Sequence, residues 1–217
     1  MLEWVGRLKG KKVVVIGDLV ADEYVYGETS RISREAPVLV VRYTDHAYKL
    51  GGAANAANNV QALGGKVIPV GIVGRDEAGR HVRRLLGQAR MPTKYVKSNA
   101  RATTRKTRIL AGGVHTSKQQ VLRLDREDMT ALDAAVQRDM VRALNEAAAT
   151  ADAVLVSDYG LGVVSEPVRK ALSTLASQGT IVCVDSRFSV LQFKGVTAVT
   201  PNEPEAEAAL GKPFDSD

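Results

Sequence analysis

Asp18, Asp158 and Asp185 each stand at or just past the end of a short apolar run, and Asp22 follows the first of them by four residues. A carboxylate only accepts hydrogen bonds when ionised, so at such positions it can hold the hydroxyl groups of a polar ligand. The ordinary alternative at each is a helix N-cap or a turn, more so at Asp185 than at Asp22. Gly51-Gly52-Ala53-Ala54-Asn55 is a second candidate. Paired glycines let backbone approach a ligand closely, and Asn55 offers both a donor and an acceptor, although a glycine turn before a tightly packed helix reads the same way.

The elements that must position these residues follow from the pattern around them. Lys12 to Gly17, Ala153 to Asp158 and Ile181 to Asp185 read as buried parallel strands, each ending in or next to an acid. Helical stretches are predicted over Gly52 to Leu63, Asp76 to Ala89, Thr130 to Ala149, Ser165 to Ser177 and Glu203 to Leu210, with Pro167 inside a first turn capped by Ser165. Alternating strands and helices make an α/β fold, a doubly wound, mostly parallel sheet with helices on both faces. Ligands of such sheets bind outside the carboxyl ends of the strands, where these aspartates stand. Glu23 to Gly27 and Pro37 to Tyr43 have no helix between them and predict a small antiparallel flap. Thr104 to Leu110 and Gln119 to Asp125 flank Ala111-Gly112-Gly113 and read as a hairpin inserted in the α/β core.

Composition narrows the classes. The chain is 217 residues long, 45% hydrophobic and 25% charged, which excludes a disordered chain and allows one large domain. Its single cysteine, Cys183, can form no internal disulfide, so a reducing compartment, the cytoplasm, is expected. No apolar run approaches the roughly 18 residues needed to span a bilayer, so no membrane contact is expected. Of a net charge of +6, residues 75–126 carry +11, from 14 Lys/Arg against 3 Asp/Glu. That window is either a solvated face or an anion site. No recognition-helix or aromatic RNA-binding motif accompanies it, so nucleic acid is not the expected partner. His46, His81 and His115 have no nucleophile motif nearby, and one cysteine does not support a zinc site.

The order of the motifs resembles the ribokinase-like (PfkB) sugar kinase family. The resemblance rests on Gly17 to Asp22, the β-rich flap, Gly51 to Ala57 with Leu63-Gly64-Gly65, and Gly71 to Gly79, and extends over about residues 12–211. Lys118 to Asp125, Ser157 to Gly162 and Thr200 to Glu205 look most like the bacterial heptose-7-phosphate kinases, whose product feeds ADP-heptose and lipopolysaccharide core synthesis. The resemblance implies phosphoryl transfer from ATP, with Mg²⁺, to a sugar or sugar phosphate. It implies a β lid near residues 22–28 and 37–50, often also a dimer contact, so a homodimer through the lid is expected, with the inserted hairpin near 103–126.

By matching position, Asp22, Gly51, Gly52 and Asn55 would bind sugar hydroxyls, with Asp18 and Asp158 close by. Asn202 and Glu205 match the family's Asn-x-x-Glu motif, which organises magnesium and the ATP phosphates, with Glu205 acting on the metal through water. A phosphorylated sugar needs a cationic contact, and Arg105, Lys106, Arg108 or Arg123 could supply it. Strand alternation puts Lys106 and Arg108 on one face and Arg105 on the other. Asp185-Ser186-Arg187 departs from the Asp-Pro-Lys of the heptose kinases, which leaves another sugar or a nucleoside as an alternative acceptor. The family's Gly-Ala-Gly-Asp anion hole and catalytic aspartate have no match in residues 1–217. The expectation is an incomplete kinase domain over residues 1–217 with its general base beyond Asp217, or else a noncatalytic sugar-binding or dimerising module.

Overall fold

The computed structural model describes residues 6–113 and 116–214; His115 lies outside them. In chain order the elements are β1 (Lys12–Gly17), β2 (Leu19–Ile32), β3 (Leu39–Gly52), α1 (Ala53–Ala62), β4 (Lys66–Gly74), α2 (Glu77–Gln88), β5 (Val96–Asn99), β6 (Arg105–Gly112), β7 (Gln119–Arg126), α3 (Ala134–Ala148), β8 (Ala153–Asp158), α4 (Glu166–Ser177), β9 (Ile181–Ser186), a 3₁₀ turn (Val190–Gln192), β10 (Ala198–Val199) and α5 (Glu203–Leu210).

Six strands form one sheet in the order β10-β9-β8-β1-β4-β5, every neighbouring pair parallel. Side chains alternate across each strand, so the apolar run of β1 feeds two cores. Val14 and Ile16 join Met140 and Leu144 of α3 and Val168 and Leu172 of α4. Val15 faces the other way, onto Ala53, Ala54 and Ala57 of α1 and Val82 and Leu86 of α2. Burial of each such Val, Leu or Ile contributes roughly 1.5–3 kcal/mol, which holds helices on both faces. The alanines of α1 bring its backbone close to the sheet, so its first turn lies against the end of β1.

The remaining strands form a second sheet, β3-β2-β6-β7, the lid. β2 and β3 are antiparallel, with irregularities in register at Tyr26/Gly27 and Thr29/Arg31. The hairpin of β6 and β7, which the chain inserts between β5 and α3, pairs in this second sheet and not in the six-stranded one. It extends the lid, β6 lying parallel to β2 from Ala21↔Arg105 to Glu28↔Gly112. Paired with β3 alone, β2 would leave a row of backbone groups open, and β6 closes that edge. Complementary side chains fix the pairing: Thr107 Oγ1 donates to Glu23 (2.7 Å) and Arg105 Nε lies 3.6 Å from Glu23. The hairpin is tied down by Asp76, the N-cap of α2, which accepts from Gly79 N (2.9 Å), Thr103 N (2.9 Å) and Thr103 Oγ1 (2.6 Å). Burial would push the Asp76 carboxyl up, but these donors outweigh it and hold it below the usual range.

Many cations of the basic window are balanced by acids from outside it. Lys94 pairs with Glu146, Arg101 with Asp128, Arg105 with Glu23, Lys106 with Glu127 and Arg108 with Asp22.

Candidate active site

Asp18 is the one residue between β1 and β2, at the point where neighbouring strands run off to opposite sides of the sheet. It is 2% exposed. Its Oδ2 accepts from the backbone N–H groups of Tyr159 (2.8 Å) and Leu161 (3.1 Å), and its Oδ1 from that of Val163 (3.2 Å). Its own carbonyl accepts from Ala53 N at 2.9 Å, which starts α1. Burial pushes its carboxyl up to about 6 against the pull of those backbone donors, with the charge of Asp158 adding to the rise. The resemblance expects Asp18 beside the ligand; in the structure its carboxylate organises the loop after β8. Gly52, N-cap of α1, has φ 54°, and a Cβ there would lie 2.4 Å from the Asp18 carbonyl oxygen, so glycine is required.

Four residues on, Asp22 points from β2 onto the lid face shared with Tyr24, Lys49, Lys106 and Arg108. Its Oδ1 accepts from Arg108 Nη1 at 2.7 Å. A Cβ on Gly51 would come within 2.8–3.0 Å of the Asp22 carboxylate, so that glycine makes room for it. An open cavity of about 450 Å³ begins here, bounded by Asp22, Tyr24 and Lys49 of the lid, Asn55 and Asn58 of α1, and Gln88 of α2. Asp22, Gly51, Gly52 and Asn55 are therefore brought together. The cations divide differently. Lys106 Nζ is held 3.3 Å from Asp125 and 3.2 Å from Glu127, and is not part of the cavity lining. Arg123 pairs with Asp125 at 3.0 Å, and Arg105 turns to the opposite lid face, toward Glu23 and the Tyr48 hydroxyl (3.3 Å). On that same face Tyr48 stacks on His81, ring centroids 4.1 Å apart, and meets His46 edge-on. His46 and His81 thus pack on the Tyr48 ring.

A second opening of about 240 Å³ lies past the ends of β8 and β9, bounded by Asp158, Tyr159, Asp185, Arg187, Asn202 and Glu205. Asp158 is 5% exposed; its Oδ1 accepts from Gly160 N (3.0 Å) and its Oδ2 from the Ser186 hydroxyl (2.8 Å). Burial, then the neighbouring Glu205, raise the Asp185 carboxyl, while Arg187 draws it down. Asn202 and Glu205 form a reciprocal cap on α5: Glu205 N donates to Asn202 Oδ1 (2.9 Å) and Asn202 N to Glu205 Oε2 (3.0 Å). Arg187 lies over the Tyr159 ring, 5.0 Å from its centroid. Among the described residues no three His, Cys, Asp or Glu side chains converge to hold a metal ion directly. The oxygen donors of this opening instead suit an ion that keeps most of its waters.

The sequence model of the pfkB family carbohydrate kinases matches residues 10–217. The chain belongs to the pfkB carbohydrate kinase family. It is 39% identical over 208 residues to a protein of Gluconacetobacter diazotrophicus named bifunctional protein HldE, covering 94% of this chain and 42% of that one. To the HldE of Helicobacter hepaticus it is 36% identical over 206 residues, covering 94% and 42%. The chain thus spans about two-fifths of the length of these curated relatives. Among solved structures, Escherichia coli phosphofructokinase-2 in complex with substrates and products superposes with a TM-score of 0.70 at 17% identity, covering 95% of this chain and 65% of that one. Arabidopsis thaliana ribokinase with ribose and ATP gives 0.61 at 18%, covering 96% and 65%.

As a pfkB-family chain with these neighbours, the protein has the ribokinase-like fold: a parallel six-stranded sheet with helices, and a separate four-stranded mixed lid. Sequence reasoning missed Lys49, Tyr24 and Asn58 in the lining of the first cavity. Lys49 could have been noticed two residues before Gly51, where the lid hairpin sets it opposite Asp22.

Proposed function

We propose that this pfkB-family chain carries the acceptor-binding and magnesium-organising part of a kinase that moves the terminal phosphoryl group of ATP to a hydroxyl of a heptose 7-phosphate. The observation that carries this reading is the linkage of the two openings through Asp18. Its carbonyl receives the first N–H of α1, the helix of Asn55, while its carboxylate receives the N–H of Tyr159 at the second opening. Phosphoryl transfer depends on positioning and charge stabilisation more than on covalent chemistry, and two polar openings held by one buried residue supply the positioning.

In this scheme Asp22 and Asn55 bind sugar hydroxyls, and the close backbone of Gly51 and Gly52 shapes the wall beside them. Asp18 and Asp158 act beneath the ligand by fixing the loop after β8. Asn202, Glu205 and Asp185 face the ATP phosphates, Glu205 meeting magnesium through water. Asn202, Glu205 and Asp185 would hold a hydrated magnesium ion there, which would supply positive charge to offset the charge that develops on transfer. The heptose assignment is supported by the motifs Lys118 to Asp125, Ser157 to Gly162 and Thr200 to Glu205, and the single cysteine favours the cytoplasm as the place of reaction. Leu122 and Leu124, 56% and 61% exposed on the lid face opposite Asp22, support a homodimer through the lid. Arg187 over Tyr159, in place of the expected lysine, favours a second reading in which the acceptor is another sugar or a nucleoside.

A thermal-shift panel of heptose 7-phosphate, free heptose, ribose, fructose 6-phosphate and adenosine tests both readings. Stabilisation by heptose 7-phosphate is expected; a response to ribose or adenosine alone transfers the assignment to the second. Residues 1–217 contain no Gly-Ala-Gly-Asp, so this polypeptide by itself is expected to show no ATP-dependent phosphorylation, a noncatalytic sugar-binding module in isolation. Turnover would make one of Asp18, Asp158 and Asp185 the base.

A further inference from the structure

We infer that Lys49 is the residue that recognises the anionic group of a phosphorylated sugar, and that Lys106 and Arg108, the pair of basic residues the sequence places on one strand face, are not. The inference rests on the acceptor site proposed above and adds its specificity determinant. Of the cations flanking Asp22 and Tyr24, Lys106, Arg108 and Arg123 each have a carboxylate within 4 Å. Lys49 has none among the described residues; its ammonium lies 4.7 Å from the centroid of the Tyr24 ring, a weak contact that an anion can supplement. It is exposed and lines the cavity of Asp22 and Asn55.

Charge balance sharpens the assignment. Lys106 faces two carboxylates with its side chain only 14% exposed, so an incoming phosphate would have to displace both. Arg108 is committed to Asp22 at 2.7 Å, and diverting it would remove the partner that orients the hydroxyl acceptor. Lys49 can take a phosphate without breaking an ion pair. β3 pairing sets it opposite Asp22, so one ligand can place a hydroxyl on Asp22 and Asn55 and its phosphate on Lys49.

Calorimetric titration of the 217-residue protein with heptose 7-phosphate and with free heptose tests this. Lys49→Met keeps the aliphatic stem and removes the charge. It should weaken heptose 7-phosphate binding by about tenfold to a hundredfold, the range for a charge-assisted hydrogen bond, and leave free heptose unchanged. Lys49→Arg should restore most of the loss, and Lys106→Met should stay within about twofold of wild type for both ligands. Unchanged sugar-phosphate affinity in Lys49→Met, or an equal loss for the free sugar, overturns the assignment. A wild-type protein that binds neither ligand brings down the acceptor site itself, and this inference with it.

Discussion

Asp18 makes a pH prediction whose size can be worked out. Its carboxyl rises from an ordinary 3.8 to about 6 because burial outweighs three backbone donors. At roughly 1.4 kcal/mol per pH unit, that shift is worth about 3 kcal/mol. The sign follows from proton binding: between pH 4 and 6 the folded protein holds a proton that the unfolded chain has released. Asp18 therefore adds stability that is full below about pH 4 and is lost as pH rises through about 6. Asp18→Asn removes the titration and keeps the shape. The amide oxygen can accept from Tyr159 and Leu161, but its NH₂ then faces the Val163 N–H across 3.2 Å, leaving a donor unmet at about 1–3 kcal/mol. Urea unfolding measured from pH 4 to 8 should show wild type ahead by about 1–3 kcal/mol at low pH, a lead that falls by about 3 kcal/mol by pH 8, so that Asp18→Asn draws level with wild type or overtakes it. The raised carboxyl of Asp185 contributes in the same direction but is common to both, so the difference isolates Asp18. Parallel curves at all pH values would refute the reasoning.

Asp22→Ala should weaken sugar binding by roughly 1.5–3 kcal/mol by calorimetry with the fold retained, and equal affinity would remove Asp22 from the site. Gly51→Ala should reproduce much of that loss, since its Cβ would sit 2.8 Å from the Asp22 carboxyl carbon; unaltered binding would mean the carboxylate is free to move aside. Asn202→Ala should lower the stability of α5 by about 1 kcal/mol. No residue of α5 is buried, so amide exchange over Glu203–Leu210 should accelerate while the global melting temperature holds, and a large global loss would contradict that local role.

The parallel sheet was legible because each central strand is buried on both faces and so reads as an unbroken apolar run: β1 and β8 have the bounds expected from the sequence. Helix α5 was legible from Asn202, Pro204 and Glu205, a cap written within a few residues. The lid was legible only in part. β2 and β3 each run 14 residues, but much of both lies exposed or half-exposed, so charged residues such as Arg42, Asp45 and Lys49 interrupt the β pattern without ending the strand. The union of β2 with β6 depends on contacts 84 residues or more apart, which no local pattern records. For the same reason the pairing of the hairpin cations was hidden: Lys106 meets Asp125 across the turn, visible only once the register is known. The burial of Asp18 under donors more than 140 residues away was equally hidden.

The joint between β1 and β2 is one residue long, and that residue is pinned on every side: its N–H to Ser157, its carbonyl to Ala53, its carboxylate to three alternate N–H donors of another loop. It cannot serve as a pivot. Any swing of the flap over a bound sugar must therefore flex farther out, where the pairing slips at Tyr26/Gly27 and again at Thr29/Arg31. Asp22 lies on the stiff side of those slips and the tip on the compliant side. If Asp22 holds a sugar as proposed, that first grip is preset against the body of the protein, and only the outer half of the flap is left to respond to what has been gripped.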